Sequence, residues 1–287
     1  GIFGIVHTHA SSAPTFPLNL KPTKYARTIG LFVIAAMVVY PFLVSNYPRE
    51  LITEIYIFAI FAMSLDLLLG FTGLMSLGHA AFFGIGAYGV ALLATHLGIS
   101  AWIGLAAGVV AAAGGAAVIG FFCVRTTGIS FLMLTLAFSQ LVFSAALKWR
   151  DLTGGTDGMA IPDKPRLFGL EMSNSLNMYF LALVLFLLCY FGLRRLLNSP
   201  LGHTFIGIRE NEPRMQAMGY PTRAYKLLSF VIAGALAGFS GGVYAIFNSY
   251  LSPDAIYWTS SGDILAMVML GGAATLIGPV IGTGLFL

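Results

Sequence analysis

LITEIYIFAIFAMSLDLLLGFTGLMSLGHAAFFGIGAY, residues Leu51–Tyr88, reads first as a membrane span and then as the interruption of one. Leu51–Gly70 is an apolar run of about 20 residues, the length a helix needs to cross the hydrocarbon of a bilayer. From Gly70 onward, polar and flexible residues (Gly70, Gly73, Ser76, Gly78, His79, Gly84, Gly86) break up what would otherwise be a second continuous span. Broken helices survive at membrane depth only where the freed backbone faces protein or a water-filled cavity, and such places commonly line transport pathways.

Three ionisable side chains, Glu54, Asp66 and His79, sit in or beside this stretch. A carboxylate at the bilayer centre costs roughly 2.5–3.5 kcal/mol on insertion scales, so it must face protein or water. Glu54 lies close to the outer end of its span and is read as interfacial. Asp66 lies close to the inner end and has two readings: a helix-end anchor, which is preferred, or part of a coupling or gating contact. His79 is read as a packing residue in a glycine-rich turn, with contact to a substrate carboxylate as the alternative. Ser76 and Gly78, beside it, are candidates for the same pathway.

Working outward, apolar windows recur at Thr28–Ser45, Leu74–Thr95, Ala101–Val124, Ile129–Leu147, Met178–Leu193, Leu227–Tyr250 and Ile264–Leu287. Hydrophobic residues are 58% of the chain and charged ones 9%, and the mean hydropathy is +0.88. This is the composition of an integral membrane protein. Strands of a membrane barrel would be half as long and alternate polar with apolar. The chain is therefore expected to be an all-α polytopic protein with about eight transmembrane segments, some broken at glycine. Cys123 and Cys189 both lie inside apolar runs, which argues against a disulfide framework or a metal site.

The connections carry an orientation signal, because Lys and Arg accumulate on the cytoplasmic side. The arm before the first span holds Lys21, Lys24 and Arg27 with no acid, and Arg125 stands alone between the fourth and fifth spans. Lys148–Glu171 is balanced, with four bases and four acids, whereas Arg194–Lys226 has six bases and two acids. A cytoplasmic N-terminus puts every one of these where its charge belongs. The sequence then divides into an N-terminal cytoplasmic arm (1–27) and a membrane domain (28–287). Within the latter, 148–176 forms a periplasmic loop and 194–226 a cytoplasmic one. The basic pI of 9.1 reflects this topology rather than nucleic-acid binding. The chain opens at Gly1 without a methionine and stops at Leu287 inside an apolar run, so both ends are expected to be incomplete.

Inside the cytoplasmic loop, Arg209-Glu-Asn-Glu-Pro-Arg-Met-Gln-Ala-Met-Gly219 has the punctuation of a short helix. Asn211 can cap the first free amides, Glu212 suits the positive helix start, and Pro213 is tolerated in the first turn. Gly219 supplies the stop, with Pro221 close behind. About two turns is too short to be stable alone, so a partner or the adjoining Arg223–Lys226 segment must hold it. A second glycine cluster, Met269-Leu-Gly-Gly-Ala-Ala-Thr-Leu-Ile-Gly-Pro279, could break the last window in two, which makes Gly271 and Gly272 further pathway candidates.

Three motifs carry a resemblance to the permease subunits of bacterial ABC importers for branched-chain amino acids, of the LivM type. Gly73–Tyr88 is similar to the family's signature segment. Arg125–Phe138 together with Leu152–Gly158 is similar to its central block, and Leu201–Pro213 through Gly219 to its cytoplasmic loop. The similarity runs from about Leu51 to Leu287. Two departures stand out: the family often has Asn at the position of Asp66, and it normally continues beyond Gly278-Pro279. The resemblance implies an importer permease fold lodged in membrane lipid, with no cofactor in this chain and no nucleic-acid partner. It also implies a second homologous permease, two ATP-binding subunits that carry ATP and Mg, and a periplasmic solute-binding protein. Arg209, Glu210, Asn211, Glu212, Pro213, Arg214, Ala217 and Gly219 would then form the contact with an ATPase subunit. The chain itself has no P-loop pattern and is not expected to be an enzyme. The competing reading is a secondary transporter that uses an ion gradient through Asp66 and His79, although no acidic–basic chain crosses the membrane. An embedded enzyme finds no support in paired carboxylates, metal spacing or a nucleophile–base pair.

Overall fold

The computed structural model describes residues 24–98, 100–161, 166–167, 170–172 and 174–287. The arm expected over residues 1–27 lies outside them up to residue 23, as does part of the loop expected over 148–176. The chain divides into two units, Gly1–Tyr40 and Pro41–Leu287. The described part of the first is helix α1 (Lys24–Leu43), which continues past the unit's end and has Pro41 in its last turn.

In the second unit, α2 (Asn46–Asp66) continues into a π-helical stretch, Leu67–Thr72, closed by Gly73 in the left-handed conformation (φ 78°). A non-helical segment leads into α3 (His79–Leu97), followed by α4 (Ala101–Cys123), α5 (Ile129–Lys148) and the single turn α6 (Arg150–Thr153). Next come strands β1 (Met159–Ala160), β2 (Arg166–Leu167) and β3 (Leu170–Glu171), then α7 (Ser175–Leu197), α8 (Pro200–Ala217) and α9 (Thr222–Asn248). Strand β4 (Tyr250–Leu251), α10 (Trp258–Gly271) and α11 (Gly278–Phe286) complete it.

Among the described residues, six helices are long and apolar enough to cross a membrane: Asn46–Thr72, α3, α4, α5, α7 and α9. The two end windows of the sequence differ from this set. Only Phe32–Leu43 of the first qualifies, as a shorter apolar helix. The last window is broken into α10 and α11, because Gly272 adopts φ 97° and the chain turns before Gly278. The third window also starts later than hydropathy suggests, since Leu74–Gly78 is not helical.

Helix α2 is the central element, buried almost without a break from Tyr56 to Leu68. It packs on α7, α9, α10 and α11, while α3, α4 and α9 pack closely on one another. Lipid offers helices no hydrophobic driving force to associate, so close backbone approach through small residues must supply the contact. Here α3, α4 and α9 meet at glycine: a Cβ on Gly86 would collide with the backbone of Gly238, and one on Gly108 with Gly86. The outer sides of α4, α5 and α7 carry exposed Ile103, Val110, Val118, Met133, Leu141, Val184 and Leu188, the surface expected of helices that face hydrocarbon.

At the end of α9 remote from α8, antiparallel pairing of β1 with β4 (Met159 opposite Leu251, Ala160 opposite Tyr250) joins two connections. Ile161 N–H donates to the Ser249 carbonyl at 2.9 Å, and the Tyr250 hydroxyl donates to the Asp157 carbonyl at 2.7 Å. His96 Nε2 on α3 donates to the Leu152 carbonyl at 3.1 Å. Strands β2 and β3 pair with each other, Arg166 opposite Glu171.

Candidate functional site

The sequence-predicted docking segment is the second half of an angled helix. Asn211 interrupts α8 with non-helical dihedrals (φ −158°, ψ 89°). Its Oδ1 accepts the Arg214 backbone N–H at 2.9 Å, the N-cap bond that its position suggested. Gly219 ends the segment at φ 86°, and Tyr220 N–H reaches back to the Met215 carbonyl at 3.1 Å, as in a Schellman closure. Met215 is buried and folds back on Gly207, where a Cβ would come within 2.9 Å of the Met215 Sδ.

The first half of α8, Pro200–Glu210, was not anticipated from the sequence. Its local signal is Pro200 at the first helical position.

The segment is held to α9 by polar contacts. Lys226 Nζ lies 2.5 Å from Glu212 Oε2, with the lysine side chain only 5% exposed. Thr222 Oγ1 donates to Glu212 Oε1 at 3.1 Å and accepts from Gln216 Nε2 at 3.0 Å. With Glu212 turned inward, the outward surface includes Glu210, Pro213, Arg214, Ala217, Met218, Gly219, Tyr220 and Arg223. Met218 and Tyr220 are large hydrophobic side chains exposed among arginines.

Arg209 points elsewhere. Its Nη1 donates to the Gly70 carbonyl in the π-helical end of α2, and its side chain covers Gly73, where a Cβ would lie 3.1 Å from Arg209 Cγ. A cation at a helix C-terminus meets carbonyls that have no partner within the helix.

One turn earlier on α2, Asp66 is fully buried, and its Oδ1 accepts the backbone N–H of Ala274 at 2.8 Å. Ala274 lies in the turn between α10 and α11 with φ 66°, unusual for a residue bearing a Cβ. That conformation costs about 1–2 kcal/mol. The hydrogen bond from Ala274 to Asp66 contributes about 0.5–1.5 kcal/mol and offsets much of it. Gly70 permits the approach, because a Cβ there would strike both Asp66 and Ala274. Asp66 Oδ2 has no hydrogen-bond partner among the described residues.

Gly271 packs on Gly278, and Gly272 forms the C-terminal cap of α10, so both shape this turn. The structure thus brings Asp66, the Gly271–Gly272 turn and Arg209 to one junction.

Ser76, Gly78 and His79 belong to a second cluster. Ser64 Oγ donates to the Phe61 carbonyl at 2.6 Å and lies 2.8 Å from His79 Nε2. The one hydroxyl proton is committed to Phe61, so the proton on this contact belongs to Nε2. His79 Nδ1 has no partner among the described residues. The ring stacks on Phe61 at 5.6 Å and meets Phe82 edge-on.

The break before α3 is hydrogen-bonded partly within itself and partly to other elements. Leu77 N–H donates to Thr135 Oγ1 at 3.3 Å, Gly78 N–H to Ser76 Oγ at 3.2 Å, and Ala80 N–H to Ser261 Oγ at 2.9 Å. A Cβ on Gly78 would collide with the Thr135 backbone. The freed amides therefore face protein, one of the two conditions under which such a break is tolerated. Ser64, Thr135 and Ser261 were missed in the sequence, where their only signal is a small hydroxyl inside an apolar run. Among the described residues, no group of three or more His, Cys, Asp or Glu is placed to hold a metal ion.

Residues 47–287 match the family described as "Branched-chain amino acid transport system / permease component". The chain belongs to this family. Both junctions, and every helix from α3 to α11, fall within the matched residues. The chain is similar to the "High-affinity branched-chain amino acid transport system permease protein LivM" of Escherichia coli (strain K12), with 34% identity over 269 residues, 84% of this chain and 63% of the relative. The protein of the same name from Salmonella typhimurium matches with the same identity and coverage. A "Probable branched-chain amino acid transport permease protein LivM" from Methanocaldococcus jannaschii is 27% identical over 152 residues, 51% of this chain and 43% of the relative. This permease-family chain thus spans just under two thirds of the length of the first two relatives. No solved structure matches it.

Proposed function

We propose that the chain is the permease subunit of a bacterial ATP-driven importer. It forms half of the translocation pathway for a branched-chain amino acid or a similarly small organic solute. The observation that carries this reading is the angled helix α8: a capped segment, anchored by Lys226–Glu212, that exposes Met218, Tyr220 and Arg214 at one end of a family-matched membrane bundle. Such a projection suits a groove on a soluble ATP-binding subunit.

The excess of Lys and Arg at the α8 end, together with the basic N-terminal arm, favours a cytoplasmic location for both in the inner membrane. The β1–β4 end would then face the periplasm and receive solute from a binding protein. A second, homologous permease would complete the pathway, and two ATP-binding subunits would hydrolyse Mg-ATP. Closure of those subunits on ATP would move α8 and exchange access between the two sides of the membrane.

The test is a gentle-detergent pull-down of the tagged protein from its native membrane, with co-purifying proteins identified and ATP hydrolysis assayed. Recovery of a second permease and ATP-binding subunits supports the importer. A chain that purifies alone and moves solute on an ion gradient overturns it in favour of a secondary transporter.

A further inference from the structure

Between α8 and the α10–α11 turn there is a continuous set of contacts that the docking surface does not use. Arg209 leaves the exposed side of α8 and donates to the Gly70 carbonyl. Gly70 lies in the π-helical end of α2, and Asp66 lies immediately before that stretch. Asp66 Oδ1 in turn holds the Ala274 N–H at 2.8 Å.

Each link is specific to its residue types. The Gly70 carbonyl sits at a helix end and needs a donor from outside the helix. Gly70 and Gly73 have no Cβ to block Arg209 or Ala274. Ala274 keeps a left-handed conformation that an alanine rarely adopts alone. Two of the linked elements have a near alternative: a π-helical end can rewind as α-helix, and a left-handed alanine can relax once its N–H is released.

We infer that Arg209 and Asp66 are positioning residues that carry a movement of α8 to the α10–α11 turn through the π-helical end of α2; this rests on the importer reading above. When bound ATP-binding subunits shift α8, Arg209 pulls on Gly70, the end of α2 rewinds, and Asp66 moves Ala274 with it. The α10–α11 hairpin, packed on α2, is thereby the part of the membrane domain that responds first.

The complete importer, with its partner subunits and binding protein, is reconstituted in vesicles, and solute uptake per ATP hydrolysed is measured. Arg209→Met and Asp66→Leu each lower this ratio about tenfold, a typical size for coupling between two sites. Arg209→Lys and Asp66→Asn, which keep a donor and an Oδ1 acceptor, recover most of it. The double variant Arg209→Met/Asp66→Leu is no worse than the more severe single one, as expected of two links in one chain.

A second measurement begins from a complex in which Arg209 and Asp66 are both intact. A spin label at the exposed Ala273→Cys, in a chain with Cys123 and Cys189 replaced by alanine, changes mobility when ATP is added to the otherwise unaltered complex. Arg209→Met abolishes that change. An unaltered uptake-to-ATP ratio in both variants, multiplying losses in the double variant, or a label blind to ATP would each overturn the inference while ATP-driven uptake by the wild-type complex stands. A wild-type complex without ATP-driven uptake overturns the importer reading as well.

Discussion

The crossing of α3, α4 and α9 and the junction of α2, α8 and α10–α11 are built on opposite principles. At the crossing, backbones touch through Gly86, Gly108 and Gly238, with Ala112 and Ala116 filling the remaining space. Nothing there has an alternative partner, and any added atom has nowhere to go. At the junction, contact runs through individual hydrogen bonds, a π-helical end and a left-handed alanine. The first region is held by close packing of backbones and the second by individual polar contacts. Close packing has one solution, whereas a polar junction can exchange partners.

Substitution at the crossing should have the largest effect. Gly86→Val places a branched side chain against the Gly238 backbone, and backbone cannot move aside as the end of a side chain can. Overpacking of this kind costs about 1–3 kcal/mol or more. The expected outcome is loss of the monodisperse peak in size-exclusion chromatography of detergent-extracted protein. A normal peak with an unchanged melting temperature would show that the crossing is looser than its geometry.

Next in size is Glu212→Ala, which leaves Lys226 buried without its partner. Removing one member of a fully buried pair costs about 3–5 kcal/mol, and the exposure of Glu212 to solvent lowers the loss here to about 1–2 kcal/mol. Thermal unfolding in detergent should show the loss, and the double variant Glu212→Ala/Lys226→Met should recover much of it. Failure of the second change to recover stability would mean that Glu212 acts through Thr222 and Gln216 rather than through the charge.

The smallest effect is expected at the bend in α8. Asn211→Ala removes the bond to Arg214 N–H and should cost about 1 kcal/mol, while Asn211→Asp should be nearly neutral. Hydrogen exchange confined to residues 212–218 would report it. Equal protection in both variants would transfer control of the bend to Pro213.

Much of the fold was legible because the solvent imposes it. A bilayer requires every backbone polar group to be satisfied within its own helix, so apolar windows such as Ala101–Val124 and Ile129–Leu147 came close to the bounds of α4 and α5. The capped segment after Asn211 was legible for a different reason: a cap is local chemistry, complete within a few residues. The first half of α8 was not, because Leu201–Ile208 has no membrane-length run and its burial depends on α7 and α9.

The candidate site was legible only in part. Asp66, His79 and the two glycine clusters stood out as anomalies in apolar sequence, but their partners did not. Thr135 lies 58 residues from Leu77, Ser261 lies 181 from Ala80, Arg209 lies 139 from Gly70, and Ala274 lies 208 from Asp66. No local pattern encodes such pairs.

The sequence by itself determined six of the membrane helices, the charge asymmetry of the connections and the capped segment after Asn211, since each follows from hydropathy, charge or capping within a short window. Only the tertiary structure decided that α2 ends as a π-helix, that the break before α3 is satisfied in part by α5 and α10, and that Arg209 and Asp66 meet at one junction. Buried hydrogen bonds and glycine contacts select their partners in space, after the chain has brought distant residues within 3 Å or so of each other.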